Sequence, residues 1–265
     1  MIFKHITAIL FVLYFMSCVA LAAESEQADA QYRSRAELAP IITSASQFDK
    51  PGERIVAISG YFINAPYAAN TLIGGPQETE QLVLDLTEFD CFTFLDVVES
   101  LRRSAKADDF PAQLQQVRYR DGKVAYAKRR HFFSDWVAGV DTPVRDVTGE
   151  VGQGSAVAVV KQLNRKEDGT LWLPGLAVTP REILYIPTSK VDAKLLSGLQ
   201  PGDYVGLYSE HAGLDVSHTG LIVVNKGKIM LRHASSRSGV GRVVDEDLFA
   251  YLQGKPGLVV YRVKP

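Results

Sequence analysis

The stretch Phe89-Asp90-Cys91-Phe92-Thr93-Phe94-Leu95-Asp96-Val97-Val98-Glu99-Ser100-Leu101 decides how this chain is read. Phe94, Leu95, Val97, Val98 and Leu101 follow the three-and-four spacing of a helix with one apolar face. Asp90 can cap the start, with Thr87 a second candidate one turn earlier. Either choice places Cys91 beside first-turn N–H groups and at the positive end of the helix dipole. That setting favours thiolate over thiol, and the thiolate is the nucleophile. The plain alternative is a small apolar residue packed into a core, which describes most lone cysteines.

Working outward, the 265 residues fit one large domain, and 46% of them are hydrophobic, enough for a substantial core. The formal charge of −1 shows no basic surplus for nucleic acid, and no run of one sign marks a tail. Residues 1–23 read as a secretory signal. Lys4 and His5 precede the apolar run Ile6–Val19, and Ala20-Leu21-Ala22 supplies small residues for cleavage after Ala22 or Ala23. The run is short for a membrane span. A lipoprotein signal through Cys18 is a weaker alternative. The remainder, 24–265, keeps one of the two cysteines, Cys91, so it has no internal disulfide. A single thiol in an oxidising compartment is a liability unless it is buried or used.

A weak helical pattern spans Ala36–Ala45, and Glu53–Gly60 is a short helix or strand. Tyr61–Pro76 is a loop, and Leu82–Leu86 is extended. Leu114–Tyr119 is a helix or strand, and Asp121-Gly122 suits a tight hairpin. The His131-Phe132-Phe133-Ser134-Asp135-Trp136 cluster suits a pocket wall, although Phe132 and Val137 fit a core patch as well. Glycines and Pro143 predict loops over 138–153, and Val151–Leu163 is a strand or helix edge. Thr179–Pro187 reads as extended or turn-like, and Val191–Leu199 as an amphipathic helix. Strands follow at Tyr204–Tyr208, Ser217–Val224, Ile229–Ser235 and Leu258–Val263, with a hairpin turn at Asn225–Lys228. A helix followed by a run of strands gives an α+β fold.

Pairing Val224 with Ile229 across that turn puts His218 opposite Ser235 and His233 opposite Gly220. Two imidazoles then share one face at one end of a hairpin. A helix packing on that face would deliver Cys91 to them. A cysteine hydrolase needs this set: a base for the thiol proton, a polar group to hold the base, and helix-end amides for the oxyanion. A lone strand histidine is more often structural, but two together are harder to dismiss. Zinc held by Cys91, His218 and His233 is a lesser alternative without a spacing signature.

Asp90-Cys91 opening a helix, Pro201-Gly202-Asp203 before a strand, Ser217-His218-Thr219-Gly220 and His233-Ala234-Ser235 resemble the NlpC-type papain-like cell-wall hydrolases. Phe89–Phe94, Arg118–Val124 and His131–Trp136 together resemble the N-acetylmuramoyl-L-alanine amidase-like branch. The resemblance covers nearly the whole chain after residue 23. It implies a papain-like core with a long insertion, about 101–200, between the cysteine helix and the histidine strand. It also implies catalysis by Cys91, His218 and His233. Substrate contacts would come from Tyr67, His131, Phe133, Asp135, Trp136, Ser217 and Arg232. The expected partners are peptidoglycan fragments, with no nucleic acid, no membrane span after the signal, no metal or cofactor, and a monomeric, exported, periplasmic enzyme. An endopeptidase cutting within the stem peptide, or a cell-wall binding module, are the competing expectations.

Overall fold

A computed structural model describes residues 36–139, 142 and 144–264. The signal and Cys18 readings lie outside the described residues. The chain divides into two compact units, 1–40 and 41–265. Residues 36–45 are helical (α1).

The second unit opens with helices. Pro51–Gly60 forms α2, with Pro51 at its start where a missing N–H costs nothing. Cys91–Arg103 forms α3 and Phe110–Arg118 forms α4. The α3 spacing read from the sequence is realised: Phe94, Leu95, Val97, Val98 and Leu101 are all buried. Phe62, Phe89 and Phe94 meet edge-on with centroids 5.2 to 6.5 Å apart. Such pairs add about 0.5–1.5 kcal/mol each beyond simple burial. Arg118 of α4 donates to buried Asp96 of α3 at 2.8 Å, which ties the two helices together.

The strands are β1 Val144–Asp146, β2 Val157–Leu163, β3 Thr179–Pro187, β4 Tyr204–Tyr208, β5 Val216–Asn225, β6 Lys228–Ala234, β7 Val243–Asp247 and β8 Gly257–Val263. They form one antiparallel sheet in the order β2-β3-β8-β4-β5-β6-β7, with β1 also on β8. The final strand therefore enters beside β4, between the two halves of the sheet. Part of the stretch read as an insertion joins the common sheet as β1, β2 and β3. The fold is α+β.

Alternation along the strands separates two faces. Val205, Leu207, Ile222, Leu231, Leu258 and Val260 share one, packed with Leu195 and Leu196 of α6 (Ala193–Leu196) and with Leu248 and Leu252 of α7 (Leu248–Leu252). Tyr204, Leu221 and Arg232 look the other way. Tyr204 donates to Glu99 of α3 at 2.9 Å, and Arg232 reaches Ser59 of α2 at 3.0 Å. So α2 and α3 cover the second face.

Several local expectations are corrected. The 138–153 stretch holds β1 and a short helix, α5 (Thr148–Gly152), because Val144, Val147 and Val151 bury apolar surface against the sheet. Asp121-Gly122 forms a 3₁₀ turn, both residues at φ 58, and is closed by the isolated bridge Tyr119–Arg129 in place of a hairpin. The Val191–Leu199 helix shrinks to four residues after its Asp192 cap, although Val191 and Leu199 still pack. Leu82–Leu86 joins no strand among the described residues. Strand β7 and helix α7 add to the expected elements.

Candidate active site

Asp90 is the cap of α3. Its carboxylate accepts from the Phe92 and Thr93 amides at 2.9 and 2.7 Å, and the Asp90 amide donates to the Thr93 hydroxyl at 2.9 Å. This reciprocal box is worth about 0.5–2 kcal/mol. It also occupies two first-turn amides with the cap and leaves the Cys91 amide out of it. Thr219 of β5 donates to the Cys91 carbonyl at 2.8 Å and bonds the thiol, which pins the first turn of α3 to the sheet.

The hairpin register is the one read from the sequence, with Leu221 opposite Arg232 and Val224 opposite Ile229. A Cβ at Gly220 would meet the Arg232 carbonyl at 2.8 Å and the His233 Cβ at 3.0 Å, so only glycine fits between the strands there. His218 and His233 lie at right angles, their Nε2 and Nδ1 atoms 2.7 Å apart. His233 Nε2 is 2.8 Å from Glu246 of β7. One expectation changes here. The imidazoles are rooted on the α7 face, against Tyr251, with ring centroids at 6.1 and 4.9 Å. Helix α3 lies on the opposite face, held by the intervening Thr219. The two come together at the end of β5, where a bulge between Leu207 and Tyr208 of β4 shifts the register and bends the strand.

Cys91 and His218 line one cavity of about 310 Å³, together with His131, Phe133, Ser217 and Trp172. A larger depression of about 620 Å³, between Lys50–Glu53 and Gln200–Asp203, carries none of these groups. Phe133 stacks on Tyr261 at 4.4 Å and fills the space a side chain at Gly206 would need. His131 Nε2 donates to the Tyr126 carbonyl at 2.7 Å. Tyr67 sits outside the lining, but its loop is tied to the residues just before Cys91: Phe89 N–H donates to the Pro66 carbonyl at 3.0 Å. The Tyr67 phenol is pushed up by burial, then by Cys91 and Asp90 beside it.

Three expected substrate contacts are structural instead. Trp136 is fully buried, edge-on to Tyr204 at 5.0 Å. Asp135 is buried; it accepts the His131 and Phe132 amides at 3.0 and 3.1 Å and pairs with Arg181 at 3.1 Å. Arg232 is buried and donates two parallel hydrogen bonds to Asp245 at 2.7 and 2.8 Å. Sequence reasoning missed Thr219, Glu246, Tyr251 and the exposed Trp172. Trp172 lies in a turn region without periodicity, but its isolation as one of two tryptophans was an available signal.

Burial runs against the thiolate expected at the helix start. Burial, followed by the Asp90 carboxylate, pushes the Cys91 thiol up to about 11. Burial, followed by His233, Lys255 and Arg237, holds His218 down to about 3. Desolvation disfavours both charged forms. Burial therefore favours the neutral form of each group.

The comparisons with known proteins bear on the chain as a whole. Residues 57–258 match the AmiA-like family, described as N-acetylmuramoyl-L-alanine amidase-like. The chain belongs to the N-acetylmuramoyl-L-alanine amidase-like family. A crystal structure of an N-acetylmuramoyl-L-alanine amidase from Bacteroides uniformis is 26% identical, covers 81% of this chain and 99% of its own, and has a TM-score of 0.68. A Legionella pneumophila protein, 22% identical over 90% of this chain and 97% of its own, shares the fold with a TM-score of 0.74. A Bacteroides fragilis protein described as a candidate xylanase is 28% identical over 77% of this chain and 98% of its own, with a TM-score of 0.62. No curated protein matches.

Proposed function

We propose that this amidase-like family member is an exported, periplasmic cysteine hydrolase with an NlpC-type papain-like core. It cleaves the amide between the lactyl group of N-acetylmuramic acid (or its anhydro form) and L-alanine. One observation carries the reading: His218 Nε2 is engaged by His233, which leaves Nδ1 as the imidazole nitrogen for the Cys91 thiol in the shared cavity.

Burial favours the neutral thiol and imidazole, so the proton moves as the bond forms. His218 takes the thiol proton while Cys91 Sγ attacks the lactyl carbonyl. The Cys91 amide, which the Asp90 cap leaves aside, is placed for the oxyanion. His218 then protonates the leaving alanine nitrogen, and the C–N bond breaks. Water, deprotonated by His218, attacks the thioester and returns the thiol. His233 orients the base, and Tyr67 stands by the nucleophile. Cleavage of a sugar–sugar bond is disfavoured, since that chemistry uses two facing carboxyl groups. Asp215 is the one carboxylate among the described lining residues, and it is occupied by the Ser134 and Val216 amides at 2.7 Å each.

Mass spectrometry of purified muropeptides after incubation tests this. Free muramic or anhydromuramic sugar plus intact stem peptide, absent with Cys91→Ala, is the expected product pattern. A cut inside the peptide moves the enzyme to the endopeptidases. No Cys91-dependent product leaves a binding role.

A further inference from the structure

We propose that Glu246 is a positioning residue for this hydrolysis: it fixes the protons of the His218–His233 pair so that His218 Nδ1 is the basic nitrogen. The proposal rests on the cysteine-hydrolase reading above and adds a fourth member to its proton-holding chain.

Counting protons gives the assignment. Glu246 Oε2 lies 2.8 Å from His233 Nε2, and a carboxylate only accepts, so that nitrogen carries the hydrogen. A neutral imidazole has one N–H, so His233 Nδ1 is an acceptor. It lies 2.7 Å from His218 Nε2, which must then be the donor. A neutral His218 with its proton on Nε2 has its lone pair on Nδ1. For two neutral rings, the form burial favours, each step follows from the one before, and the chain starts at Glu246.

The strand geometry supports a dedicated role. Glu246 is opposite Leu231 on β6, two positions from the Val244–His233 pair, so it reaches His233 diagonally on the same face. Its other carboxylate oxygen pairs with Arg237, which holds the carboxylate in place. The charged neighbours of the pair are Glu246 and Asp245, which favour imidazolium, and Arg237 and Lys255, which oppose it. Tyr251 covers both rings. When His218 takes the thiol proton, the new charge lies next to a ring bonded to Glu246, which stabilises it.

Without Glu246, His233 can adopt the other tautomer and donate from Nδ1. His218 Nε2 then accepts, its proton moves to Nδ1, and the base is lost. For Glu246→Ala we expect kcat to fall about 10²-fold with KM changed less than about twofold. Glu246→Gln keeps an acceptor for His233 Nε2–H and should recover kcat to within about tenfold of the parent. Two-bond ¹H–¹⁵N spectra of the unaltered protein should show both His218 and His233 protonated at Nε2, and Glu246→Ala should show Nδ1–H at His233. Wild-type kcat in a folded Glu246→Ala protein, or Nδ1–H at His233 in the unaltered protein, would overturn the proposal. The spectra of the unaltered protein and the Gln variant do not depend on the Ala variant folding. Cys91→Ala run alongside separates the two claims: retained cleavage there sinks the cysteine reading, whereas lost cleavage with an active Glu246→Ala sinks only this inference.

Discussion

Arg232 and His233 are neighbours on β6, as Asp245 and Glu246 are on β7, yet the two cross-strand pairs end in different places. Arg232 and Asp245 close on themselves and on Ser59 and the Val56 carbonyl of α2. Every bond in that network ends inside the protein. His233 and Glu246, one residue along each strand, belong to a line that runs through His218 to the wall of a cavity. The residue types are similarly polar and similarly buried. Strand parity decides which pair braces the fold and which opens on a site.

The largest effect that could break this contrast lies at the open end. His218→Ala should lower kcat/KM about 10³-fold or more in muropeptide turnover at pH 7, within the range expected for loss of a general base, while the protein stays folded. Activity near the parent would mean that the line does not lead to the chemistry. At the closed end the outcome should reverse. Arg232→Met leaves Asp245 without its partner and should destabilise by about 3 kcal/mol in urea unfolding, with kcat per folded molecule unchanged. A lost kcat without lost stability would restore Arg232 to the substrate site.

A third test uses pH. Burial holds His131, His218 and His233 below their ordinary value in the fold, so the unfolded chain binds more protons in acid. Stability is then fully present above about pH 6.5 and is lost as pH falls, by up to about 1.4 kcal/mol per pH unit for each histidine. For His218 the loss continues to about pH 3. Thermal melts from pH 7 to 4.5 should show the decline, and His218→Ala should make it shallower. An unchanged slope would mean that His218 is not held neutral. The smallest effect separates the two tryptophans. Trp172 is 41% exposed at the cavity, and Trp136 is fully buried. Trp172→Ala should raise KM about two- to tenfold, as for loss of one aromatic contact, whereas Trp136→Phe should alter stability and leave KM unchanged. Equal KM values for both would remove Trp172 from the site.

Much of this was legible from local pattern. The α3 spacing, the Asp90 cap and the hairpin register are short-range facts, and the chain carries them within about fifteen residues of sequence. What escaped is longer in range or set by burial. Glu246 lies in Val243-Val244-Asp245-Glu246-Asp247, where three acids mask a strand that pairing with β6 holds in place. Placing β8 between β3 and β4 required knowing that β1–β3 join the same sheet. Asp135, Trp136 and Arg232 look like pocket residues by type, and only three-dimensional packing turns them inward. The burial that opposes a thiolate at Cys91 was not legible either, because desolvation depends on what packs over the residue.

The most direct test is to alkylate Cys91 to increasing extents with iodoacetamide, map the adduct by peptide mass, and measure residual amide cleavage on the same samples. Cleavage should fall in proportion to the modified fraction and reach zero when Cys91 is fully capped. Reaction at pH 7 should be slow and should speed up as pH rises towards the thiol's value of about 11. Cleavage that survives complete capping of Cys91 would contradict the account.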